Sequence, residues 1–254
     1  MSVIRMAVLS VAISSVWARM ARADADETAE TVTARPAADD DLFTPALTHS
    51  TTQGRAFATG VMQWNGAQHK TTADLNAEVQ VYGPFRLVLR VDNVLDVARP
   101  GIGGAVQWLS EAKHGVSSSA YFVYKAEGFT ETEGELEGLV SFGKRLGAVH
   151  GTLNLAYGQD PEGRERDGEV ALGLHVELLH GLFTGLVGRY RDALGSNGDK
   201  STKILRDALG GASATYVLGS FGVTATAGIA GIETTTSGSM QAGAQAGLSV
   251  GAVF

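Results

Sequence analysis

The sequence predicts an all-β fold: a closed antiparallel up-and-down transmembrane β-barrel of about 12 strands (10–14). Three observations predict it. Short segments alternate apolar and polar residues from position 54 to the end of the chain. The connections between them are short and long by turns. Hydrophobic residues make up 44% of the 254, a share that suits strands with one face toward lipid and the other toward a polar lumen.

The N-terminal residues come first. Arg5 supplies a positive start, Met6 to Trp17 a short apolar core diluted by serines, and Ala21-Arg22-Ala23 small residues at a cleavage site. Residues 1–23 are therefore expected to be a signal peptide cut after Ala23, with Ala25 as the competing site. The alternative, an N-terminal membrane anchor, needs a longer apolar stretch. Residues 24–53 carry Asp24, Asp26, Glu27, Glu30 and Asp39-Asp40-Asp41 among Ala, Thr and Pro. Such a stretch buries too little apolar surface to fold alone, so it is expected to be an acidic, flexible periplasmic segment. A second reading makes it a plug or docking peptide using Leu42, Phe43 and Leu47.

Residues 54–254 form the expected barrel. Its clearest strand is Thr72 to Tyr82. Thr72, Asp74, Asn76, Glu78 and Gln80 fall on one face; Ala73, Leu75, Ala77, Val79 and Val81 fall on the other. Gly83-Pro84 turns the chain. Phe85, Leu87, Leu89 and Val91 then alternate with Arg86, Val88, Arg90 and Asp92, which brings Arg86 and Arg90 toward Glu78 and Asn76. Similar alternation gives strands over 134–143, 147–157, 168–178 and 239–254. Segments 54–64, 116–126 and 182–191 mix polar and apolar residues on both faces. With 102–111, 206–217 and 220–231 the set reaches twelve, an even number as single-chain bacterial barrels require.

Connections after even-numbered strands are mostly tight, as at Gly83-Pro84, Lys144-Arg145-Leu146, Leu179-His180-Gly181 and Gly219. Those after odd-numbered strands, 127–133, 158–167, 192–205 and 232–238, are longer and more polar. The charge-free stretches 208–232 and 234–254 invite a helical reading. The first contains six glycines and the second alternates Gln241 and Gln245 with apolar residues, so strands are the better account. A soluble β-sandwich also alternates. Against it stand apolar faces nearly free of charge, a dozen strands without a helix, and the export signal. Trp64, Tyr82, Phe85, Trp108, Phe122, Tyr124, Phe142, Tyr157, Phe183, Tyr190, Phe221 and Phe254 fall mostly near strand ends, where aromatic belts belong.

These features resemble bacterial outer-membrane β-barrel proteins as a class; no subfamily is matched. The resemblance covers about residues 54–254. It implies export through the periplasm to the outer membrane, contact with outer-membrane lipid, and handling by the barrel-assembly machinery, with Phe254 on the last strand as the assembly signal.

The polar face would line the lumen. It offers Asp74, Asn76, Glu78, Glu133, Glu135, Glu137, Glu169 and Glu177, with Arg86, Arg90, Arg189 and Arg191, and with His150, Asn154 and His175 between. Two functions stay open: a narrow porin-like channel for small solutes or ions, or a structural or surface-binding barrel without transport. No enzyme is expected, because His150, Thr152 and Asn154 would face the lumen with no motif around them. No cofactor and no metal are expected. Glu169, His175 and Glu177 share a face, but carboxylates at this spacing are more often salt-bridged. Cysteine is absent, which excludes disulfides and thiolate sites. Cleavage after Ala23 would remove Arg5, Arg19 and Arg22, leaving 17 of 20 basic residues against 27 acids. That balance argues against nucleic acid as a partner.

Overall fold

The computed structural model describes residues 56–129, 133–161, 165–196, 204–234 and 237–254. The expected signal peptide and acidic segment lie outside the described residues. Twelve strands follow one another: β1 (Ala56–Asn65), β2 (Lys70–Tyr82), β3 (Phe85–Asp92), β4 (Arg99–Leu109), β5 (Ser117–Ala126), β6 (Gly134–Leu146), β7 (Val149–Gln159), β8 (Glu165–Leu179), β9 (Leu182–Ser196), β10 (Ile204–Leu218), β11 (Phe221–Thr234) and β12 (Gln241–Val253). Each pairs antiparallel with the next, and β1 pairs with β12 from Phe57↔Val253 to Asn65↔Gln245. The barrel is closed. Among the described residues no helix is long and apolar enough to cross a membrane.

Two-residue turns join β2 to β3, β6 to β7, β8 to β9 and β10 to β11. Each has a glycine at positive φ: Gly83 (52°), Gly147 (64°), Gly181 (77°) and Gly219 (58°). Tight hairpin turns need that conformation, and an L side chain resists it. The opposite end carries connections of four to seven residues, shorter than the sequence suggests because β7, β8 and β9 run past their expected ends. One turn-end connection departs from the pattern. Residues 110–116 hold a one-turn helix, α1 (Glu111–His114), ended by Gly115 at φ 72°, where a strand was expected to run to 111.

Alternation places the side chains. Along β8, Leu172, Leu174, Val176 and Leu178 point outward and are exposed, while Ala171, His175 and the Gly173 backbone between them are buried. Outward Tyr82, Phe85, Trp108, Tyr216 and Phe221 sit near the turn end; Trp64, Tyr124, Tyr157 and Tyr190 sit near the loop end. These two girdles are what a bilayer interface favours. Phe183 was expected with them and is not. It is buried in the lumen, its ring edge-on to His150 at 5.3 Å.

The lumen is not purely polar. Val88, Ala105, Tyr121, Val123 and Leu139 pack together inside β3–β6, and Val187, Leu209 and Ala230 inside β9–β11. Two apolar faces on one strand cancel the alternation, so β5 and β9 showed no clean pattern. Inward glycines let the wall bend around this filling. A Cβ on Gly185 would lie 2.1 Å from the Leu174 carbonyl oxygen, and one on Gly103 equally close to that of Phe122.

Gly185→Val should therefore destabilise the refolded barrel by about 3 kcal/mol in chemical denaturation, since backbone must move to admit it. Gly138→Ala, whose Cβ meets nothing nearer than 4.0 Å, should stay within about 0.5 kcal/mol.

Candidate functional site

The lumen divides along its axis into three zones, each set by which inward positions carry charge. At the loop end, Arg90 on β3 donates to Asp92 at 2.6 Å and reaches across β4 and β5 to Glu137 on β6 at 2.8 Å. Gly101 and Gly103 on β4 leave room for that reach. Lys125 Nζ joins the cluster, 3.0 Å from Glu135, 3.3 Å from Glu137 and 3.7 Å from Asp92. On the facing strands, Arg189 lies 2.5 Å from Asp207 and 3.8 Å from Glu169, and Arg191 pairs with Asp167. Asp74 accepts the Asn93 N–H at 2.7 Å, tying the β3–β4 loop to β2. These groups keep partial contact with water; the Glu169 side chain is 27% exposed.

The middle and turn-end zones are tighter. Glu78 is 3% exposed and sits 3.4 Å from Arg86, which also donates to Gln107. Asn76 donates to the other oxygen of Glu78. A cavity of about 10 Å³ lies among Asn76, Glu78, Arg90, Tyr121, Glu137 and Leu139, room for one water at most. His150 and His175 are direct cross-strand neighbours on β7 and β8. His175 Nε2 lies 2.9 Å from Ser213 Oγ, spanning β9 where it carries Gly185. At the turn end Arg145 pairs with Glu177 at 3.0 Å, and its backbone N–H donates to Glu111 of α1 at 2.7 Å.

Most expected lumen residues thus lie on the inner face: Asp74, Asn76, Glu78, Arg86, Arg90, Glu135, Glu137, His150, Asn154, Glu169, His175, Glu177 and Arg189. Glu133 precedes β6 and is exposed in the loop-end connection. Phe254 follows β12 directly. Arg86 finds Glu78 as the hairpin implied. Arg90 stands opposite Asn76 in register but takes its charge partners from its own strand, at Asp92, and from three strands away, at Glu137. Glu169, His175 and Glu177 turn to three different partners, and among the described residues no group of three or more His, Asp or Glu is placed to hold a metal ion.

Sequence reasoning missed Lys125, Arg145, Asp167 and Asp207. Lys125 ends the segment whose alternation is masked by Tyr121 and Val123 on the inner face, and Asp167 lay within a stretch read as loop.

Buried polar side chains are not all paired within the protein. The Asn154 amide and the hydroxyls of Thr152 and Ser119 face inward with no protein partner among the described residues. Asn154 is 3% exposed. Such groups ordinarily bind internal water.

No protein-family model matches the chain, and no curated protein does. Among solved structures it is similar to the NanC porin, at 8% identity and a TM-score of 0.51, over 78% of this chain and 98% of that one. It also aligns with LpxR from Salmonella typhimurium (9% identity, TM-score 0.45, 78% of this chain and 100% of that one). A third is the outer membrane channel DcaP of Acinetobacter baumannii (10%, 0.43, 73% and 63%). At such identity the NanC likeness establishes a shared closed β-barrel fold and nothing beyond the fold.

The Glu78–Arg86 pair gives a direct test of the packed zone. Glu78→Leu should cost about 3 kcal/mol by stranding a buried guanidinium, and adding Arg86→Leu should recover most of it. Arg206→Gln, on a half-exposed pair with Glu233, should change stability by less than about 0.5 kcal/mol.

Proposed function

We propose that this chain is a bacterial outer-membrane β-barrel forming a narrow, porin-like channel for small solutes or ions. The observation that carries the reading is the loop-end lumen, where partly exposed charged side chains from β2, β3, β5, β6, β8, β9 and β10 ring the interior of a closed barrel. Beneath that ring the lumen is lopsided. Large side chains on β3–β9 fill one side, whereas the inward faces of β11, β12 and β1 are mostly small, with Thr226, Gly228, Gly247, Ser249, Gly251 and Thr59 interrupted by Val61, Gln63, Gln245 and Ile232 and followed by buried Phe57 toward the turn end. The channel reading places its path on this side of the lumen.

Inner-face carboxylates slightly outnumber inner-face guanidinium and ammonium groups, nine (Asp74, Glu78, Asp92, Glu135, Glu137, Asp167, Glu169, Glu177, Asp207) to eight (Lys70, Arg86, Arg90, Arg99, Lys125, Arg145, Arg189, Arg191). Such an excess favours cations. Residues 1–23 would deliver the chain to the periplasm, and Phe254 would present the last strand to the assembly machinery. One observation favours the second reading, a structural or surface-binding barrel without transport: the 10 Å³ cavity within the packed middle zone.

Planar-bilayer recording of the refolded mature protein separates the two. The channel reading predicts discrete openings that pass K⁺ in preference to Cl⁻, a preference raised by Lys125→Glu and conductance lost on Glu137→Trp. A barrel that stays silent even after Tyr121→Ala would leave the structural reading. Recovery of the mature chain in the soluble periplasm would sink both.

A further inference from the structure

The outer wall carries a furrow of about 650 Å³ across β6, β7, β8 and β9. Its banks are two adjacent outward rows of cross-strand partners. One runs Lys144–Gly151–Leu174–Leu186, the other Phe142–Leu153–Leu172–Gly188. Three interstrand steps of about 4.8 Å make it roughly 14 Å long, running obliquely across the wall.

Two features of the glycines bear on it. Gly173 and Gly185, on the inner face, allow the wall to sink: a Cβ there would lie 2.6 Å from Thr152 Oγ1 and 2.1 Å from the Leu174 carbonyl oxygen. Gly151 and Gly188 lie on the outer face and answer to no such crowding, their nearest neighbours being 4.0 and 3.7 Å from a built Cβ. Side chains would fit at both positions, and their absence leaves the furrow floor bare.

The remaining feature is charge. Lys144 stands exposed at the turn-end mouth of the furrow, and its side chain makes no ion pair among the described residues. An apolar channel ending at an unpaired ammonium matches an acyl chain that ends at a phosphate. A second copy of the barrel would bring its own apolar wall against the furrow but no anion for Lys144. A charge-free lipid would leave Lys144 equally unanswered.

We propose that this furrow is a binding site for one phospholipid, with an acyl chain between the two rows and the headgroup phosphate on Lys144. The proposal rests on the membrane-embedded reading of the barrel. Its test is native mass spectrometry of the mature protein, refolded into vesicles of phosphatidylethanolamine and phosphatidylglycerol and transferred to mild detergent. One phospholipid should remain on the wild-type barrel. Lys144→Gln should lower its occupancy about fivefold, the worth of one lysine at an anionic lipid surface. Gly151→Leu, which fills the floor, should lower it at least about tenfold, a change of about 1.4 kcal/mol. Retention that is equal in all three proteins would overturn the proposal, as would barrel dimers in place of a lipid adduct. A wild-type chain that inserts into vesicles yet keeps no lipid would overturn the proposal alone. A chain that does not insert would overturn the membrane reading with it.

Discussion

The pairing of β1 with β12 is the interaction on which the rest of the structure depends. In hydrocarbon an unpaired N–H or C=O costs several kcal/mol, and no water is present to offset it. A sheet of eleven ladders would leave two bare edges; the twelfth ladder, from Phe57↔Val253 to Asn65↔Gln245, removes both. Closure then dictates side-chain chemistry. With every strand lying in one ring, successive residues must face lipid and lumen by turns, and the even strand count sets turns at one end and loops at the other.

What fills the ring follows from its size. A twelve-strand barrel is too narrow for its inner side chains to stand free in bulk water, so they must pack or pair. The chain does both, in separate zones. Valine, leucine and tyrosine close the middle on one side, while charge clusters occupy the loop end where water reaches them. Buried ions survive in the Glu78–Arg86 pair because each partner satisfies the other. The inward bends at Gly103 and Gly185 belong to the same economy of space, since they allow Arg90 and His175 to reach over intervening strands. The furrow on the outside is the counterpart of the bend at Gly185 on the inside.

Much of the fold was legible in the sequence because the lipid face obeys a simple rule. Val170, Leu172, Leu174 and Val176 had to be apolar, and their alternation with Glu169 and His175 located β8 within a few residues. The glycines of three tight turns marked one end of the barrel, whereas the turn expected at Lys144-Arg145-Leu146 lies at Gly147-Ala148, those three residues still belonging to β6. The inner face obeys no such rule. Tyr121, Val123, Val187 and Phe183 look like lipid-facing residues until their partners across the lumen are known, which is why β5 and β9 blurred and why Phe183 was misplaced in a belt. The same ignorance hid the cross-lumen pairing of Arg90 with Glu137, which are separated by 47 residues. Local pairs such as Arg86 with Glu78 needed only a hairpin and were within reach. The helix α1 escaped because four residues carry too little periodicity to register.

The account stands on which face of each strand meets lipid, and the absence of cysteine makes that directly measurable. Single cysteines placed in turn at Glu169, Val170, Ala171, Leu172, Leu174, His175 and Val176 can carry a fluorophore in the barrel refolded into vesicles that contain brominated lipid. The account predicts strong quenching at positions 170, 172, 174 and 176, and weak quenching at 169, 171 and 175. Quenching that fails to alternate along β8, or that is absent throughout, would contradict it.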